Sequence, residues 1–244
     1  MNRRNASLFL GGFALVGSAM TKSKVLAAEG PPKIVPGQRT GTANGHQNGH
    51  GFTHIPALDV NVSKAESIAI VMTGAVAAGG NPLENSRGEI VSEVTQVLHI
   101  KGNGSLKLTI DSLLVGQLWC SRDGDGFAAL TTAEATLLSD GGAVLGTSFN
   151  GRTHTGKDVV FINDRLEPTS TVVESGEYVL VQRMVIEASH PKRCFHKNVA
   201  MSYFGPEGAN PPEWLKLMAA HREAPKQKDL GFRVIIKVEN AQVG

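Results

Sequence analysis

Four residues within a short stretch carry side chains that bind soft metals: His190, Cys194, His196 and Met201. A thiolate, two imidazoles and a thioether are the donor set of a copper electron-transfer site. The second cysteine, Cys120, offers different chemistry. Two cysteines far apart in an exported chain most often form one disulfide. A Cys120–Cys194 bond would close a loop of about 75 residues and add on the order of 2–4 kcal/mol, mainly by restricting the unfolded chain. One thiol cannot serve both purposes, so the two readings compete for Cys194.

The copper reading has a family parallel. The Cys, His and Met run resembles the ligand loop of cupredoxins, which join two strands of a β-sandwich by such a loop. Here only Phe195 lies between Cys194 and His196, a shorter gap than that family uses. A further histidine upstream is also needed, and His99 and His154 are the candidates.

Other motifs carry less. Asp123-Gly124-Asp125-Gly126 has the look of a calcium loop. An EF-hand would need further oxygen ligands where Ser121 and Thr132 stand, and flanking helices, so a solvated turn is expected. Gly146-Thr147-Ser148-Phe149-Asn150-Gly151 is one residue too long for a nucleophile elbow. There is no phosphate-binding glycine loop. Trp119, Tyr178 and Trp214 could stack on a ligand, but aromatics are only 5% of the chain. No catalytic set emerges, and a non-enzymatic role is expected.

Residues 1–28 read as an export signal. Arg3 and Arg4 precede an apolar run, Leu8 to Met20, and small residues end the segment at Ala27 and Ala28. The run is shorter than the ~20 residues that span a bilayer as a helix, so no stable membrane span is expected after cleavage. The paired arginines, the glycines of the run and Lys22 and Lys24 resemble a twin-arginine signal. A periplasmic or secreted location follows. Of the 24 basic residues in the chain, four lie in the first 27, which leaves 20 against 22 acidic. That balance gives no reason to expect nucleic acid as a partner. An unidentified protein or small ligand is expected instead, with no cofactor, copper being the alternative.

These side chains need a scaffold. Residues 29–57 hold Pro31, Pro32, Pro36 and many glycines and read as a flexible linker. Its histidines, His46, His50 and His54, recur every four residues, but the glycines between them disfavour the helix that would align them. Residues 58–244 read as a single β domain. Short apolar runs with period-two alternation recur along it, most clearly at Phe232, Val234, Ile236 and Val238. Expected strands cover 67–76, 90–100, 105–115, 127–131, 135–138, 143–149, 158–162, 170–174, 178–188, 199–204 and 232–238. Lys101-Gly102-Asn103-Gly104 and Ser175-Gly176 carry hairpin chemistry. One short C-terminal helix is expected near Pro211–Arg222, capped by Asn210, with Trp214, Leu215, Leu217 and Met218 as its stripe. Many short strands without strand–helix alternation predict a mainly β fold, an antiparallel β-sandwich or barrel.

Overall fold

A computed structural model of the chain describes residues 30–48, 51–54, 58–64, 67–79, 85–121, 128–191, 199–205 and 230–241. Fourteen strands run through them: β1 (Lys33–Asn48), β2 (Gly51–His54), β3 (Leu58–Lys64), β4 (Ser67–Met72), β5 (Ala75–Gly79), β6 (Ser86–Lys101), β7 (Leu106–Cys120), β8 (Ala128–Ser139), β9 (Val144–His154), β10 (Asp158–Arg165), β11 (Thr169–Val173), β12 (Gly176–His190), β13 (Val199–Tyr203) and β14 (Gly231–Asn240). No helix occurs among the described residues, and the segment expected to be helical, Pro211–Arg222, lies outside them. The alternation that predicted strands is real at atomic level. In β6, Ile90, Val94, Leu98 and Ile100 are buried while Glu89, Glu93 and Lys101 face outward.

The strands form two antiparallel sheets. One runs β1-β6-β12-β8-β9. In the other, β7 is flanked by β10 and β11 on one side and by β13 and β14 on the other. There β5 and β4 continue outward from β13 and β14, and β2 and β3 outward from these. Each such pair is one long row broken at mid-length. Numbering the rows from β4/β5 to β13/β14 in chain order, the first sheet reads 2-7-4-5 and the second 1-8-3-6. This is the strand order of a jelly roll. The strands β1 and β2/β3 extend its two sheets beside β6 and β4/β5.

That topology corrects both expected hairpins. Gly102-Asn103-Gly104 joins β6 in one sheet to β7 in the other, and Ser175 joins β11 to β12 in the same way. Turn residues reverse the chain but do not decide whether its two arms hydrogen-bond side by side or face each other across a core. Here the buried faces of both arms are strongly apolar, and they meet across the sandwich. Leu98 and Ile100 of β6 share one core cluster with Leu106, Leu108 and Ile110 of β7. Hairpins do form at β3–β4, where Lys64 pairs with Ser67, and at β8–β9, where Gly142 takes φ +78° in a turn closed by Ser139.

The 29–57 linker is also revised where it is described. Residues 33–48 are strand β1, paired along nearly its whole length with β6. Low apolar content says little about an edge strand, which needs backbone partners more than side chains to bury. Only Ile34 joins the core cluster. Glycine fits because the strand runs close over its neighbour: a Cβ on Gly37 would lie 2.7 Å from His99 Nε2. The bulge between Pro36 and Arg39 is held by the buried Gln96, whose Nε2 donates to the Gly37 carbonyl at 3.1 Å.

Two features fix how the sheets meet. Gly116 is the β7 residue lying between the β14 and β13 registers, and the ring of Phe204 fills the space where its side chain would be. Nearby, small residues let the sheets approach closely: Ala78, Ala129, Ala188 and Ala200 are all fully buried. Ser202 of β13 reaches across there. Its Oγ accepts from the Leu130 N–H at 3.1 Å and donates to the Glu187 carbonyl at 2.6 Å, joining β13 to β8 and β12.

Candidate functional site

The strand register gathers three of the longer connections, 80–85, 121–127 and 191–198, at one end of the sandwich, while the longest, 204–230, leaves the second sheet at mid-row between Tyr203 and Gly231. Cys120 lies beside Ala200 and Asp158, Ala128 beside Ser189, Ala129 beside His154, Ser86 beside His190, and Gly79 beside Val199. The connections 80–85, 121–127, 155–157 and 191–198 therefore all attach here. The opposite end is closed by the turns 102–105, 140–143 and 174–175, shorter than 80–85, 121–127 and 191–198. A rigid double sheet presenting three of its longer loops at one end is the usual arrangement of a β-sandwich binding site.

The described part of this end is polar and locally strained. His154 ends β9, and its Nε2 lies 3.0 Å from the carbonyl of Asp158. A carbonyl only accepts, so Nε2 carries a proton and donates it to this bond. Asp158 takes φ +132°, outside the region that residues with a side chain favour. The ring of His154 thus grips a strained turn. The Cys120 thiol points at the same strand end, 3.6 Å from the His154 carbonyl oxygen. Farther along the seam, Asp164 of β10 accepts from Asn150 Nδ2 at 3.0 Å and from Arg152 Nε at 2.6 Å. The bond from Arg152 holds the Asp164 carboxyl below the usual aspartate range, partly opposed by burial and aided by Asn150. These bonds tie the edge of one sheet to the edge of the other.

The sequence-derived residues fall as follows. Cys194 and His196 lie outside the described residues, as does Asp123–Gly126. His190 is buried on the inward face of β12, and Met201 is buried on the outward face of β13, in a cluster with Ala77, Val115 and Tyr203. Its neighbour Ala200 belongs to the inter-sheet core instead. A sheet therefore stands between the Met201 and His190 side chains, and the structure does not bring these two together. Of the two upstream histidines, His154 is at the loop-bearing end. His99 is not: it faces outward near the far end of β6, with Nδ1 3.5 Å from Glu177. Ser148 is a buried mid-strand residue of β9, far from any nucleophile elbow. Trp119 packs against the Met201 cluster, and Tyr178 donates its hydroxyl to the Glu174 carbonyl at 2.8 Å, so neither stands free as a stacking platform.

The residues that sequence reading passed over are Asn150, Arg152 and Asp164. A signal existed, since Asn150, Arg152 and His154 alternate along β9. Three polar groups at period two on the inward side of a strand mark an edge that meets another polar edge rather than a core.

No family model matches the chain, and no curated protein matches it. Among solved structures, the chain is similar to the structure of infectious bursal disease virus Gx strain, with 10% identity and a TM-score of 0.21. That likeness covers 93% of this chain and 42% of the viral one, so the chain spans less than half the length of that relative. A second likeness is to the family 11 carbohydrate-binding module from Clostridium thermocellum in complex with a β-1,3-1,4-mixed-linked tetrasaccharide, at 9% identity and a TM-score of 0.14. It covers 64% of this chain and 95% of that module. At such scores neither likeness assigns a family or a ligand.

Proposed function

We propose that this chain is exported and that its mature part is a non-enzymatic domain binding a protein or small ligand of the cell envelope or medium. The observation behind the reading is the asymmetry of the sandwich, with 121–127 and 191–198 attached side by side at one end and tight turns at the other. Export rests on the paired arginines, the short apolar run and the small residues at Ala27 and Ala28. In this reading Cys120 pairs with Cys194. Cys120 neighbours Ala200, only six positions beyond Cys194, so the loop has chain enough to return to it. The short helix of 211–222 belongs to the same proposal.

The test is in the producing cell. A photo-crosslinking residue placed in 121–127 or 191–198 should capture one specific adduct outside the cytoplasm. Replacing both loops with Gly-Ser segments of equal length that keep Cys194 in place should abolish capture without changing the melting transition. Equal capture by the loop-replaced protein would refute the assignment. Retention of an intact Met1 on extracellular protein would refute cleavage of the export signal.

A further inference from the structure

The outward face of the first sheet is ruled into rows by its strand register. Arg183 of β12 stands between Glu93 of β6 and Glu134 of β8. The adjoining rows place Val181 between Thr95 and Thr136, and Val179 between Val97 and Leu138. On the edge strand β9, Val144 and Phe149 are 64% and 63% exposed. Arg183 is exposed, and none of the ion pairs among the described residues includes it. Elsewhere on this face Arg87 is paired with Glu89 and Glu187, and His99 with Glu177, just as Arg165 is bound to Asp111 and Lys107 to Glu239 on the outward face of the second sheet.

We propose that the outward face of the first sheet binds a second copy of the chain, about a two-fold axis running along the strands between β8 and β12. Under that symmetry β12 of each copy lies over β8 of the other. Arg183 then meets Glu134 of the second copy, and the reciprocal pair forms as well. The same operation lays Val179 on Leu138 and Val181 on Thr136, apolar and small groups on their like. Sheets stack face to face with their strands nearly aligned, as this axis requires.

The size fits. Four strands about 4.8 Å apart, matched over twelve residues of about 3.4 Å, span roughly 800 Å². A specific interface buries about that much on each partner. An isologous contact is also the commonest way for two copies to associate, because it closes. An axis along the strands points the loop-bearing ends of both copies the same way. On the proposed binding role this would make the dimer bivalent, but the dimer itself does not depend on that role.

Sedimentation velocity on the mature full chain tests the assignment. Wild type should sediment as a dimer at micromolar concentration. Arg183→Glu and Glu134→Arg should each weaken the dimer by at least about 100-fold, since each turns two attractions into two repulsions. Each change also sets like charges side by side within its own sheet, which costs about 1 kcal/mol or less per exposed pair, so the thermal melts should fall by only a few degrees. Mixing the two variants in equal amounts should restore a heterodimer. The glutamate introduced in one copy then faces the arginine introduced in the other, and the native Glu134 and Arg183 meet at the second contact. Mixing cannot repair a repulsion within one chain, so rescue is specific to this interface. A wild-type monomer at about 100 µM, well above a typical specific Kd, would overturn the proposal. So would a dimer indifferent to Arg183→Glu, or variants that fail to rescue each other.

Discussion

Replacing Gly116 by alanine tests how the two sheets are locked. A Cβ at that position would lie 2.2 Å from Cδ1 and 2.3 Å from Cε1 of Phe204. Ordinary carbon contacts begin near 3.5 Å, so the ring must retreat by about 1 Å. It has nowhere to go. Phe204 is fully buried in the inter-sheet core, and its backbone is clamped, with its N–H donating to the Gly74 carbonyl at 2.8 Å. At an unstrained site glycine to alanine would stabilise by about 0.4–1 kcal/mol through the unfolded state. Overpacking costs about 1–3 kcal/mol, so the net loss after that gain should be about 1 kcal/mol. Phe204→Ala should cost about 3–5 kcal/mol, for lost burial and a cavity. The double variant is decisive. The new methyl enters the space the ring vacates, so the two costs should fall short of additivity by about 2 kcal/mol. Urea unfolding of the four proteins with equal m-values measures the cycle. Additive costs, or a neutral Gly116→Ala, would show that glycine and ring do not share the site as described.

Three further outcomes are expected. Ser202→Ala leaves the part-buried Leu130 N–H without its 3.1 Å partner and should cost about 1–3 kcal/mol by chemical denaturation. Asp164 has its carboxyl depressed in the fold by Arg152, so the stability it supplies is present above the unfolded aspartate value of about 3.9 and is lost as pH falls through the lower folded value. With Arg152 55% exposed the gain is under about 1 kcal/mol. Unfolding curves of wild type and Asp164→Asn should therefore differ by that amount at neutral pH and converge in acid. Finally, if Cys120 and Cys194 are paired, thiol titration of the exported protein finds no reactive group, and Cys120→Ala and Cys194→Ala lower stability by similar amounts. Copper uptake that survives Cys120→Ala but not Cys194→Ala would instead make Cys194 a metal ligand.

Most strand positions were legible because period-two alternation reports one buried face, and that is a local property. Phe232, Val234, Ile236 and Val238 are all buried, as their spacing implies. The Ala-rich stretch at 67–76 reads ambiguously for the opposite reason. It divides into β4 and β5, and every residue of β5 is buried, so no alternation is available to detect. Sheet membership was not legible at all. Gly102-Asn103-Gly104 has the residues of a hairpin, and only the long-range pairing of β7 with β10, β11, β13 and β14 turns it into a crossing between sheets. Closeness in sequence misleads in the same way over the metal-type cluster. Met201 and Ala200 are adjacent, but a strand sends them to opposite faces, and Met201 goes to a different layer from His190.

What the fold does for the candidate site is to replace sequence distance with register. The loops 121–127 and 191–198 are about seventy residues apart in the chain, yet both bridge the same two sheets at the same end. One leaves β7 at Cys120 and enters β8 at Ala128; the other leaves β12 at His190 and enters β13 at Val199. Cys120 is paired with Ala200 and Ala128 with Ser189, so the two loops share neighbours at both of their roots. Neither loop carries a complete motif: one offers Asp123 and Asp125, the other Cys194 and His196. On the proposed binding role, the chemistry of this end lies in the combination of the two loops with His154, whose Nε2 is committed to the Asp158 carbonyl. Exchanging either loop alone should alter what the end binds as strongly as exchanging both, because neither set of side chains suffices without the other.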